Sequence, residues 1–253
     1  MTTVLIIGSG PNALEARSWP RGVFDVIVAI NNAWRVREDW NYLIYPEDFP
    51  ADRRPHHLKD GQTRIQASDF VPHQNQFGGF VYAGGTMAFT AAYWALGALR
   101  PSAIAMIGCD MTYASRGPTH FYGHGSPDPL RDDVTLRSLP AKSARLAALA
   151  AKNNCAMVNL SSNPSQLTFP RARLLTAAAQ KPVQHNTTAV AAALAMEGKL
   201  VVRNRQFRVV PARLPVRPIR WRNPATSLGD SIWITRSSEP TSMPSSRTLV
   251  ATM

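Results

Sequence analysis

The residues best suited to chemistry crowd into one stretch, Ile104 to Leu130, IAMIGCDMTYASRGPTHFYGHGSPDPL. Cys109, Asp110 and Tyr113 follow a short apolar run, and His120, Tyr122 and His124 lie within five residues. An imidazole with a pKa near neutrality suits removal of a proton from a hydroxyl. Tyrosine hydroxyls can stabilise a departing phosphate where water is excluded. His124 lies between Gly123 and Gly125, whose small size lets a substrate approach, so His124 is the expected base. His120, between Thr119 and Phe121, reads as structural or acceptor-binding. The pair could instead ligate zinc, but Gly123 and the aromatics disfavour a helical pair and no third ligand is evident. No Asp-x-Asp occurs in the chain, so neither a metal site nor a carboxylate clamp on a metal–nucleotide is expected.

These residues need a scaffold, and the apolar runs supply one. Ile104–Ile107 reads as a buried strand meeting a turn at Gly108, and open α/β sheets bind ligands beyond the carboxyl ends of their strands. Thr3–Ile7 and Phe24–Ile30 are near-continuous apolar runs, as expected of strands covered on both faces. The first leads into Gly8-Ser9-Gly10-Pro11-Asn12 and a helix opening at Ala13–Arg17. Its glycines would let backbone N–H groups approach a phosphate. Ala13 stands where a dinucleotide fingerprint has its third glycine.

The second run ends in Asn31-Asn32, either amides for a base edge or ribose or a capped turn before Trp34. Tyr42–Tyr45 is a third strand. Residues 50–80 show no period and read as loop. Gly84-Gly85 leaves room for a ligand beside Thr86, which opens the apolar helix Met87–Leu99. Thr135–Asn153 reads as a helix with Leu136, Leu139, Ala144, Leu146 and Leu149 inward and Lys142 and Arg145 outward. Cys155–Leu160 is the last strand, followed by Ser161 to Ser165, with helices expected at Arg173–Gln180 and Thr188–Glu197. The expected architecture is a Rossmann-like, doubly wound, mostly parallel α/β domain over residues 1–175. A helical extension (176–202) and a basic tail (203–253), rich in Ser and Pro and with little fixed structure, complete it.

Composition restricts the classes. The chain has 253 residues, and no window of about 18 apolar residues exists to span a membrane. Two cysteines make no disulfide framework, and no signal peptide precedes the first strand, so a cytoplasmic location is expected. Of the net charge of +12, nine arginines against Asp230 and Glu239 place +7 after residue 202, leaving +5 for the rest. Basic character is thus a tail property and does not by itself point to nucleic acid. The seven arginines of Arg203–Arg222, interleaved with Phe207, Ile219 and Trp221, either hold the protein peripherally at an anionic inner-membrane surface or form a solvated terminus. The oligomeric state is left open, a homo-oligomer included.

The set of motifs resembles the bacterial sialyltransferases of the Campylobacter lipooligosaccharide type (glycosyltransferase family 42). The resemblance runs from Val4 to about Leu167, with a gap through the irregular middle. It is carried by Gly8 to Pro11 after a strand, Asn31 ending a second, a small-residue turn opening a helix that ends in Leu96-Gly97, and Gly108 to Asp110 with a tyrosine soon after. The H-x-x-x-H pair His120/His124 and the segment Asn163-Pro164-Ser165 complete it. The resemblance implies a metal-independent, inverting transfer of a sugar, such as sialic acid from its CMP donor, to a glycan hydroxyl, with no cofactor. It implies that His124 is the base, that Ser9, Asn31, Gly85 and Thr86 lie along the nucleotide-sugar, and that Tyr113 and Tyr122 lie near its phosphate. Gly8, Gly10, Pro11, Asn32, Gly84, Asp110, His120, Asn163 and Ser165 join the expected substrate-binding set. Ser9 replaces an Asn, Gly85 replaces a donor-contacting Ser, and Tyr113 is one place late. The strand–GxGP and Gly-x-Asp pattern is also similar to the 6-hydroxymethylpterin diphosphokinase-like family, so ATP-dependent diphosphoryl transfer is the rival reaction. A non-catalytic nucleotide- or nucleic-acid-binding module is the rival outside enzymology.

Overall fold

A computed structural model describes residues 2–113, 117–125 and 133–203. Six strands form one sheet: β1 (Thr3–Ile7), β2 (Val26–Ile30), β3 (Tyr42–Ile44), β4 (Thr63–Ile65), β5 (Ala103–Ile107) and β6 (Ala156–Asn159). Their order is β4-β3-β2-β1-β5-β6 and every pairing is parallel. Parallel neighbours require crossovers, which is why the apolar runs alternate with longer connecting segments. The chain winds outward from β1 to β4, then returns to the other side of β1 with β5 and β6. The direction of winding therefore reverses between β1 and β5.

Alternation along the strands divides the core. Val4 and Ile6 of β1 enter one apolar cluster with Phe70, Phe89, Trp94 and Leu146. Leu5 and Ile7 enter the other, with Ala13, Phe24, Trp40 and Phe49. Both faces being covered, β1 and β5 have no exposed position, and each fully buried Leu or Ile side chain contributes about 1.5–3 kcal/mol. The first face carries α-helices: α1 (Ala67–Gln76), α2 (Gly79–Ala83), α3 (Met87–Trp94) and α4 (Leu139–Lys152). The second is roofed by short 3-10 turns, among them Pro11–Ser18, Asn31–Arg35 and Leu174–Ala179. This is the doubly wound, Rossmann-like α/β fold. Beyond it, α5 (Thr187–Arg203) lies largely exposed, with Leu194 against the first cluster.

Several local expectations need correction. Residues 50–80 hold β4, α1 and the start of α2. β4 is three residues at the sheet edge with only Ile65 buried, so it lacks an apolar run. α1 contains Pro72 and buries only Ala67, Phe70 and Gln74, which weakens its period. The segment after β1 is a 3-10 turn, with Pro11 fixing its start. In α4, Ala144 is exposed while Lys142 is buried and Arg145 half-buried, because both charged side chains find partners inside. The Arg203–Arg222 segment beyond its first residue, and the rest of the tail, lie outside the described residues. Among the described residues no helix is long and apolar enough to cross a membrane.

Candidate functional site

The reversal between β1 and β5 leaves a crevice at the carboxyl ends of the strands, the place where open α/β sheets hold ligands. A cavity of about 640 Å³ opens there. Its floor is the turn after β1 (Gly8 to Asn12) and the segment after β5 (Gly108 to Tyr113). Ile30 and Asn31 close one side, the opening of α3 (Gly85 to Ala88) another, and Asn163-Pro164 after β6 a third. Pro118 to His120 and Tyr122 lie over it.

The turn after β1 is held by protein, and this changes the meaning of its glycines. Gly8 N–H donates to Ile107 O and Gly10 N–H to Gly108 O, each at 2.8 Å. A Cβ on Gly8 would meet Gly108 O at 2.3 Å and Cys109 Sγ at 2.6 Å. The two strand ends approach too closely for any side chain there, and neither N–H is left for a phosphate. Gly85 has a similar reason: its missing Cβ would lie 2.4 Å from Thr135 Oγ1. Gly84, at φ +100°, faces Lys142 and Phe89, away from the cavity. What α3 does present is its N-terminus, where Thr86 Oγ1 accepts from Phe89 N–H at 3.2 Å. A helix N-terminus favours an anionic ligand group.

Asp110 anchors the floor. Its Oδ2 accepts from Asn12 Nδ2 at 2.8 Å and from Ser161 Oγ at 2.7 Å, while Asn12 Nδ2 also donates to Ser161 Oγ at 2.8 Å. One buried triad thus joins the loops after β1, β5 and β6. Asn12 and Ser161 were not among the expected site residues, although each lies in the segment that follows a strand, the signal that singled out Asp110. Three polar atoms around the cavity are buried with no hydrogen-bond partner: Ser9 Oγ, Asn31 Oδ1 and Asp110 Oδ1. Asn31 at φ +51° and Met111 at φ +54° hold the left-handed conformation, uncommon for residues other than glycine. Backbone held there costs about 1–3 kcal/mol and concentrates at functional sites. Burial, with Asp110's charge adding, pushes the Cys109 thiol far above the ordinary range, which disfavours the thiolate that a nucleophile needs.

The histidines occupy a tight reversal. His120 N–H bonds Gly123 O at 2.9 Å and Gly123 N–H bonds His120 O at 3.0 Å, with Phe121 and Tyr122 at the tip. Phe121 N–H donates to Ser9 O at 3.0 Å, docking the reversal on the β1 turn. The His120 ring lies 5.0 Å from the Tyr122 ring, stacked, and 6.0 Å from that of Tyr113. Its Nδ1 is 2.9 Å from Thr119 Oγ1, and Gly125 N–H also reaches Thr119 Oγ1, at 3.0 Å. Gly125 must lack a Cβ, which would lie 2.7 Å from His120 Nδ1.

Of the expected residues, Gly8, Ser9, Gly10, Pro11, Asn31, Gly85, Thr86, Asp110, Tyr113, His120, Tyr122 and Asn163 line this cavity. Gly84 and Ser165 do not. His124 and Asn32 line a neighbouring cleft, with Tyr122 common to both. The imidazole on this cavity's wall is therefore His120, while His124 lines the neighbouring cleft. Among the described residues no three His, Cys, Asp or Glu side chains are grouped as a metal would need. No family model, curated protein or solved structure matches the chain.

Proposed function

We propose that the chain is a glycosyltransferase that moves a sugar, such as a sialic acid, from a nucleotide donor to a glycan hydroxyl with inversion. The observation that carries the reading is that Ser9, Asn31 and Asp110, each with a buried side-chain oxygen that has no partner, line one cavity together with His120. Unpaired buried acceptors cost about 1–3 kcal/mol each and are relieved by a ligand rich in hydroxyl and amine donors, which a nucleoside is. The opening of α3 at Thr86 would face the donor phosphate, and the hydroxyls of Tyr113 and Tyr122 would stabilise it as it leaves.

In this reading His120 is the base, and His124 serves the acceptor side. If the Thr119 hydroxyl directs its proton to Gly125 O, 3.3 Å away, His120 Nδ1 donates to Thr119 Oγ1. Nε2 then carries the lone pair that takes the acceptor proton. The acceptor oxygen attacks the anomeric carbon, the bond to the donor phosphate breaks, and its electron pair leaves with the nucleotide. ATP-dependent diphosphoryl transfer is the rival, because Asp48 and Asp110 line the same cavity.

Thermal shift with CMP, CDP, UDP, Mg²⁺–ATP and an oligonucleotide separates the readings. Stabilisation selective for CMP supports the sialyltransferase-like reading. Stabilisation by Mg²⁺–ATP alone replaces it with diphosphoryl transfer, and by oligonucleotide alone with a binding module.

A further inference from the structure

The neighbouring cleft, about 460 Å³, has its own chemistry. Arg35 ends the turn Asn31–Arg35 after β2, and Arg53 ends the turn Ala51–Arg53 after β3; both line this cleft with His124. Trp34 fastens the two turns together. Its Nε1 donates to Arg53 O at 2.9 Å, and the Arg35 guanidinium lies 5.3 Å over its ring. Among the described residues the ion pairs are Arg21 and Arg37 with Asp39, Lys59 with Glu38, and Arg145 with Glu197. Neither Arg35 nor Arg53 belongs to one, so two arginines line one concavity with no carboxylate among its described lining residues. A second, independent feature points the same way: Asn32 is 3% exposed, and its Oδ1 is buried with no partner. The cleft thus offers cationic donors and one buried acceptor, the complement of a ligand that joins an anion to a hydroxyl.

We infer that this cleft is an oxyanion subsite for a sugar bearing a carboxylate or a phosphate. Arg35 and Arg53 hold the anion, since guanidinium forks match both groups through paired N–H donors. Asn32 Oδ1 accepts from a neighbouring hydroxyl. Tyr122 walls both this cleft and the large cavity, so a sugar seated here lies beside whatever occupies the cavity. That it is the acceptor rests on the transfer reading above. The acceptor class it defines is an acidic glycan.

Calorimetric titration of the whole protein with glucuronate, glucose 6-phosphate and glucose tests the subsite. At least one acidic sugar should bind and glucose should not, with the preferred acid telling a planar from a tetrahedral anion. The double variant Arg35→Ala/Arg53→Ala should weaken that binding by about tenfold or more, as expected for loss of charge-assisted bonds. In the wild-type protein, the Trp34 indole N–H resonance should shift during the same titration, a readout that needs no variant to fold. Absence of acidic-sugar binding, equal binding of glucose, or undiminished binding in the folded double variant overturns the subsite. Acidic-sugar binding without transfer from any nucleotide donor removes the transfer reading and keeps the subsite. Transfer to neutral acceptors, undiminished in the double variant, does the reverse.

Discussion

Asp110 and Asn12 stand 98 positions apart in the chain, yet their carboxylate and amide meet at 2.8 Å in the floor of the cavity. That contact, shared with Ser161, links three strand ends and leaves Asp110 Oδ1 buried without a partner in a residue that lines the ligand space. An amide can replace the structural half of this arrangement but not the other. Asp110→Asn should keep an oxygen toward Asn12 and Ser161, changing stability by about 1 kcal/mol or less, while putting an NH₂ where the ligand meets an acceptor. Nucleotide affinity should fall about tenfold or more, the usual loss of a charged hydrogen bond. Asp110→Ala should lose both affinity and about 2–3 kcal/mol of stability, because Asn12 and Ser161 lose their partner. Denaturant unfolding and nucleotide titration of both variants check this; equal destabilisation by the two would refute the division.

Thr119 positions His120. Thr119→Val removes the oxygen beside Nδ1 and should lower kcat about tenfold with donor affinity unchanged, whereas Thr119→Ser should restore most of it. Steady-state kinetics with nucleotide binding measured separately decide the point. Failure of serine to rescue would assign Thr119 to packing alone.

Lys142 gives a pH signature. Burial, reinforced by Arg145, pulls its pKa down to about 8 from an ordinary 10.5. Its folded pKa lies below its unfolded one, so from about pH 8 to 10.5 the unfolded chain binds more protons. Its contribution to stability therefore rises with pH across that window. Cys155, pushed up to about 12 by burial, acts oppositely: its unfolded thiol deprotonates near pH 9 and stability falls above that. Subtraction isolates the lysine. The stability of Lys142→Met relative to wild type should decline by about 1 kcal/mol between pH 7 and 9. A difference flat in pH would show that Lys142 stays charged throughout.

Arg145 ties α5 to the domain. Its guanidinium grips both Glu197 oxygens at 2.7 Å, Tyr93 Oη at 2.9 Å and Phe77 O at 2.8 Å. Arg145→Met strands all three partners in a half-buried place and should cost about 2–3 kcal/mol. Trypsin should then cut α5 faster after Lys199, the lysine nearest Glu197, since Lys181 precedes Pro182 and is no trypsin site. Unchanged resistance in that segment would show that α5 is held without Arg145.

The sequence displayed the parts of this molecule that are chemically uniform and concealed those defined by a partner. β1, β2 and β5 were legible because a strand covered on both faces is apolar at every position. β4 and α1 were not, since an edge strand with one buried residue and a helix broken by Pro72 leave no period. A signal for α1 did exist: Gln66 is followed three residues later by Asp69, whose carboxylate accepts Gln66 N–H at 2.8 Å. Lys142 and Arg145 read as outward because charge is normally solvated, and only the fold brings Val81 O and Glu197 to them. In the site, most of the cavity wall could be picked out as polar residues after apolar runs. Which histidine faces the cavity could not, because the glycines beside His124 report room around it, whereas Gly125 in fact makes room for His120.

The central claim is that a nucleotide-sugar in the β1–β5 crevice loses its sugar to a hydroxyl activated by His120. Release of CMP from CMP-sialic acid in the presence of a glucuronate-terminated glycan, measured for wild type, His120→Ala and His124→Ala, tests it most directly. His120→Ala should lower turnover about 10²–10⁴-fold with CMP affinity unchanged. His124→Ala should chiefly raise the KM for the acceptor. Near-full turnover by His120→Ala, with His124→Ala inactive, would return the role of base to His124, and no CMP release by the wild-type protein with this acceptor or with a neutral one would contradict the transfer itself.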